Sequence, residues 1–154
     1  MNYHSHSHSV CLLTYHIVFV TKYRKPYITD EIGDFMKEYA NYLCERMKCR
    51  LISAETDTDH MHLLVSANPG TAPADIVRIL KTQIAKALRK KYSEHIEQYI
   101  HGDGHYLSSS YFVATTGTTV MDKVKEYIAA QRTDDHKRKY VKSGKYIKKK
   151  KSKK

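Results

Sequence analysis

The chain has 154 residues, 41% of them hydrophobic and 28% charged, with a formal net charge of +11. This is enough apolar content for one compact domain with a sizeable core, and too little length for two ordinary ones. No apolar stretch approaches the roughly 20 residues of a membrane span and no signal-peptide apolar segment opens the chain, so a cytoplasmic protein without membrane contact is expected.

Residues 1–9 read as a polar lead-in in which His4, His6 and His8 alternate with serines. A strand is expected from about Val10 to Val20, rich in β-branched and aromatic residues. It ends at the basic cluster Lys22-Tyr23-Arg24-Lys25 before Pro26. A helix follows, with Thr29 or Asp30 as its N-cap and Ile32, Phe35, Met36, Tyr39, Leu43 and Met47 at helical spacing. Arg50 to Thr56 reads as a second strand, joined by a short turn to a third that starts at His60, and two strands this close form a hairpin. After the turn signal Asn68-Pro69-Gly70, Pro73 suits the first position of a second helix, and Ile76, Ile79, Leu80, Ile84, Ala87 and Leu88 make its apolar stripe. The rest of that helix is basic, with Arg78, Lys81, Lys86, Arg89, Lys90 and Lys91. A strand around Ser109 to Thr115 and a last helix after Gly117, with Thr119 and Asp122 as a capping box, complete the order.

The sequence pattern is therefore βαββαβ followed by one helix. It is that of an α+β, ferredoxin-like sandwich, with two helices on one face of a four-stranded antiparallel sheet and the first and third strands central. Cys11, Cys44 and Cys49 are odd in number and lack a C-x-x-C pair, so they are expected to be buried, reduced thiols. Residues 133–154 hold 11 of the 27 Lys and Arg and two of the 16 acids, which puts +9 of the +11 in that segment. It is expected to be a disordered basic tail, either solubilising or attractive to polyanions.

Asp59-His60-Met61-His62 opens the third strand. Successive strand side chains alternate faces, so His60 and His62 share one face while Met61, Leu63 and Val65 take the other. Two imidazoles so placed can share a metal ion, although the same spacing also arises as an ordinary pair of surface histidines. On the last helix Tyr127 and Gln131 are four residues apart and lie on one side. By periodicity alone Tyr127 reads as a packing residue at the stripe's border.

Four pieces together say more: Tyr15-His16-Ile17-Val18-Phe19-Val20-Thr21-Lys22-Tyr23-Arg24, Asp59-His60-Met61-His62-Leu63-Leu64, Ser110-Tyr111-Phe112-Val113-x-Thr115-x-Gly117, and Tyr127-Ile128-Ala129-Ala130-Gln131. In this order and spacing they resemble the single-tyrosine HUH transposases of the insertion-sequence-200/605 group, over a domain of residues 10–132. One departure is Leu107, where family members often carry a tryptophan.

The resemblance implies a transposase that cuts and rejoins single-stranded DNA at element ends marked by hairpins, through a 5′-phosphotyrosine. It implies Tyr127 as nucleophile and His60, His62 and Gln131 as ligands of Mg²⁺ or Mn²⁺, a donor set that suits a metal bound to a scissile phosphate. It also implies a homodimer with active sites shared between subunits. Lys123, four residues before Tyr127, or the metal is the candidate for favouring the phenolate. Lys22, Arg24, Lys25, Arg78, Lys81 and Arg89 are the candidate contacts to the DNA backbone. The competing readings are a non-catalytic single-stranded nucleic-acid-binding module with RNA-recognition-like topology and a metal-dependent hydrolase with no covalent step.

Overall fold

The computed structural model describes residues 4–6, 9–101, 104–115 and 120–131, with side-chain surroundings from 11 to 101, 104 to 115 and 125 to 131. The capping box at Thr119, the Lys123 side chain and segment 133–154 lie outside the described residues.

Four strands form one antiparallel sheet: β1 (Leu13–Val20), β2 (Arg50–Thr56), β3 (His60–Ala67) and β4 (Phe112–Thr115), in the order β2-β3-β1-β4. With α1 (Asp30–Arg46) between β1 and β2 and α2 (Pro73–Ile96) between β3 and β4, this is the expected ferredoxin-like sandwich, and α3 (Val120–Ala130) is the additional helix. β1 is shorter than the pattern suggested because its partner β3 ends at Ala67, opposite Leu13. Residues 9–11 therefore lack a neighbour in the main sheet and pair with His4–His6 in a separate two-stranded ribbon.

Alternation along β1 and β3 divides two environments. Ile17, Phe19, Met61, Leu63, Val65 and Ala67 are buried against the helices, together with Ile32, Met36, Ala40 and Leu43 of α1 and Ile76, Val77, Leu80, Ile84 and Leu88 of α2. In α1 the buried stripe is shifted from the predicted one, since Phe35, Tyr39 and Met47 flank the core and Ala40 and Cys44 enter it. In α2 Val77 is buried, and Ile79 and Ala87 are half-buried. Cys44 and Cys49 are buried as expected, but Cys11 is only half-buried, because it belongs to the N-terminal ribbon instead of the core sheet. No helix among the described residues is long and apolar enough to cross a membrane.

The Thr29 hydroxyl accepts the Ile32 N–H at 3.2 Å and caps α1. One turn in, Gly33 brings this helix close to β2: a Cβ there would overlap the Thr56 hydroxyl. Rotating Thr56 moves the hydroxyl away but leaves its own Cβ 3.3 Å from the added atom. Gly33→Val gains a little helix propensity, but the overpacking it introduces dominates, at about 1–3 kcal/mol. The urea midpoint should fall with an unchanged slope.

Candidate active site

His16, Val18 and Val20 of β1 and His60 and His62 of β3 occupy the sheet face turned away from α1 and α2, since Val18 pairs with His62 and Val20 with His60. That face receives α3: Tyr127 and Ile128 pack on Val18, Val20 and Phe112, with the Tyr127 and Phe112 rings 5.6 Å apart. The sheet face carrying the histidines is thus the one on which the tyrosine helix rests.

The histidine half is built around Asp59. The His60 and His62 ring centroids are 5.0 Å apart, and His16 lies 6.5 Å from His62. Asp59 Oδ1 lies 2.7 Å from His60 Nδ1. A carboxylate only accepts, so Nδ1 carries a proton, and in the neutral ring this leaves the lone pair on Nε2. The other carboxylate oxygen accepts from Arg24 Nε at 3.2 Å. Burial, then the neighbouring His60 and His16, hold His62 below the ordinary imidazole value, against the opposing pull of Glu55 and Asp57. His62 is therefore neutral near pH 7, the form in which an imidazole can bind a metal. Among the described residues no three His, Cys, Asp or Glu side chains converge on one metal position. His60 and His62 supply two imidazole donors on one face, and the Gln131 Oε1 is held by Ser108 and Ser110.

Two serines organise the tyrosine half. Ser110 Oγ donates to Gln131 Oε1 at 3.1 Å and lies 2.9 Å from the Tyr127 hydroxyl. A serine has a single proton, so with that proton on Gln131 the tyrosine donates to the serine. Ser108 Oγ also donates to Gln131 Oε1, at 3.4 Å. Tyr127 is held above its ordinary value by burial; the opposing effect of Ser110 belongs to the ionised tyrosine, to which the serine hydroxyl turns to donate. Ser108, Ser110 and Asp59 had no assigned role in the sequence reading. The adjacency of Asp59 to His60 was visible there, but the contact of serines and glutamine depends on the packing of α3 over β4.

The six basic residues are less uniform than their charge suggests. Lys22 and Arg24 line a cleft of about 310 Å³ with Thr21, Tyr23, Ser108, Ala130 and Gln131. Lys25 is half-buried in the same turn, and its carbonyl accepts from Thr21 Oγ1. Arg78 is exposed and lies 3.7 Å from Asp75. Lys81 Nζ donates to the Ser109 carbonyl at 3.0 Å, and Arg89 donates to the Gly104 carbonyl at 2.8 Å while covering the Tyr106 ring. Lys81 and Arg89 therefore hold the segment before β4 against α2. Leu107, where the resemblance led to expect tryptophan, is buried and bridges Thr21.

The whole described domain has close relatives. Residues 9–131 match the family model "Transposase IS200 like". The ISDra2 transposase TnpA of Deinococcus radiodurans is 29% identical over 119 residues, covering 77% of this chain and 84% of that protein. The transposase for insertion sequence element IS200 of Salmonella typhimurium is 27% identical over 121 residues, covering 79% and 78%. A crystal structure of a protein from Deinococcus radiodurans described as a transposase superposes with a TM-score of 0.78 at 28% identity, over 84% of this chain and 98% of that one. At the level of fold alone, a REP-associated tyrosine transposase bound to a REP hairpin superposes with a TM-score of 0.51 at 9% identity, over 83% and 70%. The chain belongs to the IS200-like transposase family.

Proposed function

We propose that this transposase cuts and rejoins single-stranded DNA through a covalent 5′-phosphotyrosine on Tyr127. The observation that carries this reading is that His60 and His62 share one sheet face with the helix bearing Tyr127 and Gln131. Tyr127 Oη forms a bond to the scissile phosphorus, the bond from phosphorus to the 3′ oxygen breaks, the phenol loses its proton and the departing oxygen becomes a 3′-OH. The phosphodiester energy stays in the phosphotyrosine, so rejoining needs no nucleotide cofactor. Mg²⁺ or Mn²⁺ would be held by His60, His62 and Gln131, and when bound supplies Lewis acidity at the phosphate.

The chain's own residues do the rest. Asp59 sets the tautomer of His60, and Ser110 links the tyrosine to Gln131. Because burial keeps the Tyr127 proton on, an acceptor must take it during attack, and Lys123 as the free amine is the candidate, while a bound metal would favour the phenolate. Lys22, Arg24, Lys25, Arg78, Lys81 and Arg89 would position the DNA backbone. Hairpins at the element ends would be the recognised structure, and a homodimer would bring the tyrosine helix of one subunit to the histidines of the other.

Incubating the full chain with single-stranded hairpin DNA and Mg²⁺ or Mn²⁺, followed by denaturing electrophoresis, tests the reading. A protein-DNA adduct that disappears with a chelator is expected. Metal-indifferent binding with no adduct on any such substrate would point to the non-catalytic binding module instead. Cleavage without any adduct would point to a hydrolase.

A further inference from the structure

Arg24 belongs to an unusual turn. It follows β1 directly, and both Tyr23 (φ 56°) and Arg24 (φ 55°) adopt the left-handed conformation that side chains other than glycine rarely take. The turn is held from both ends. Thr21 donates its N–H to the Asp59 carbonyl at 2.9 Å, and its hydroxyl lies 2.8 Å from the Lys25 carbonyl and 3.1 Å from that of Asp59. The Arg24 N–H closes the turn on the Thr21 carbonyl at 3.0 Å. Two consecutive strained residues persist only where the surroundings over-determine them. What this conformation achieves is visible in the side chain, which turns back onto Asp59.

We infer that Arg24 and Asp59 are positioning residues for His60, acting as a relay in which Arg24 fixes the carboxylate and the carboxylate fixes the imidazole with Nε2 outward. The relay rests on the metal-site reading of His60 given above. Its geometry is continuous: Arg24 Nε to Asp59 Oδ2 at 3.2 Å, then Asp59 Oδ1 to His60 Nδ1 at 2.7 Å. The two carboxylate oxygens are thus divided between a guanidinium and an imidazole. The side chains are 30%, 16% and 14% exposed from Arg24 to His60, so water competes least where the ring is held. A free histidine favours the proton on Nε2, which would block the nitrogen facing the candidate metal position. The carboxylate reverses that preference. Ligand histidines commonly donate their second N–H to a carboxylate, whose loss weakens metal binding about 10–100-fold.

This assignment differs from that of a backbone-contacting arginine, and the two separate experimentally. In the DNA-free full chain, ¹⁵N spectra of the His60 ring, identified by its loss in His60→Gln, should show the Nδ1–H tautomer. The Nε2–H form should gain in Asp59→Ala and, to a lesser extent, in Arg24→Gln. Mn²⁺ affinity, read from the electron paramagnetic resonance of the free ion, should fall about 10–100-fold in Asp59→Ala. It should fall less in Arg24→Gln and recover in part in Arg24→Lys. An Nε2–H tautomer in the wild type, or a tautomer unmoved by both substitutions, overturns the relay. So does an Arg24→Gln variant that keeps its tautomer and Mn²⁺ affinity while its DNA binding loses about one unit of salt slope, the mark of a phosphate contact. If the tautomer responds as described and Mn²⁺ binds neither the wild type nor the variants, the relay stands and the metal reading of His60 fails.

Discussion

Tyr127→Phe is expected to abolish the covalent protein-DNA adduct and to lower cleavage by at least about 10³-fold, as removal of a nucleophile does. The substitution deletes one oxygen and keeps the ring that packs on Phe112 and the Val18–Val20 cluster. With that oxygen goes the 2.9 Å hydrogen bond to Ser110. At a half-buried site its net worth is about 0.5–1.5 kcal/mol, so the helix should stay in place. Ser110 keeps a partner, because its proton already goes to Gln131. Hairpin binding, measured by gel shift in the presence of metal, should therefore change little while the adduct disappears. An adduct that survives in Tyr127→Phe would remove Tyr127 from the chemistry. Binding that vanishes together with the adduct would make Tyr127 a packing residue, as its position on the border of the helical stripe first suggested.

The fold was legible because its signals were local. Alternation along β1 and β3 separates Ile17, Phe19, Met61 and Leu63 from Val18, Val20, His60 and His62, and the two periods in the chain give the order of elements. The boundaries were less legible. Nothing within Val10 to Leu12 ends a strand; β1 begins at Leu13 because β3 stops opposite it at Ala67. The predicted strand from Ser109 begins only at Phe112, since Ser109 and Ser110 are taken up by Lys81 and by the polar contacts to α3. Val18 and Val20, on the histidine face of β1, are buried in a second cluster under α3, apart from the main one. The shared face of the two histidines followed from spacing alone. The contacts that tune them did not, because Arg24 and Asp59 are 35 positions apart and meet only through a turn whose left-handed residues carry no glycine to announce it. For the basic residues charge showed only part of the role: it marked Lys81 and Arg89 as candidate DNA contacts, and the folded chain also uses both to hold backbone carbonyls.

Mixing His60→Ala and Tyr127→Phe subunits decides whether the two halves of the site come from one chain or two. Within the described chain Gln131 and Tyr127 are engaged by Ser108 and Ser110 over β4, and His60 by Asp59 at the start of β3. Each half is thus held by its own hydrogen-bond partners, and the mixture reads whether one chain or two unite them. Each variant alone should be inactive, the first for want of a metal ligand and the second for want of a nucleophile. If the site is shared, a heterodimer pairs one intact histidine half with the intact tyrosine half of its partner and so holds one working centre of two. Random reassortment in a twofold dimer makes half of the molecules heterodimers, so the mixture should recover about a quarter of the wild-type adduct. Sites confined to one chain would recover none, since each subunit then carries its own defect. The adduct in the mixture should also sit only on the His60→Ala chain, the one that retains Tyr127. A size tag on one variant reads this directly on the denaturing gel, and an adduct on the Tyr127→Phe chain would reject both the exchange and the tyrosine as nucleophile.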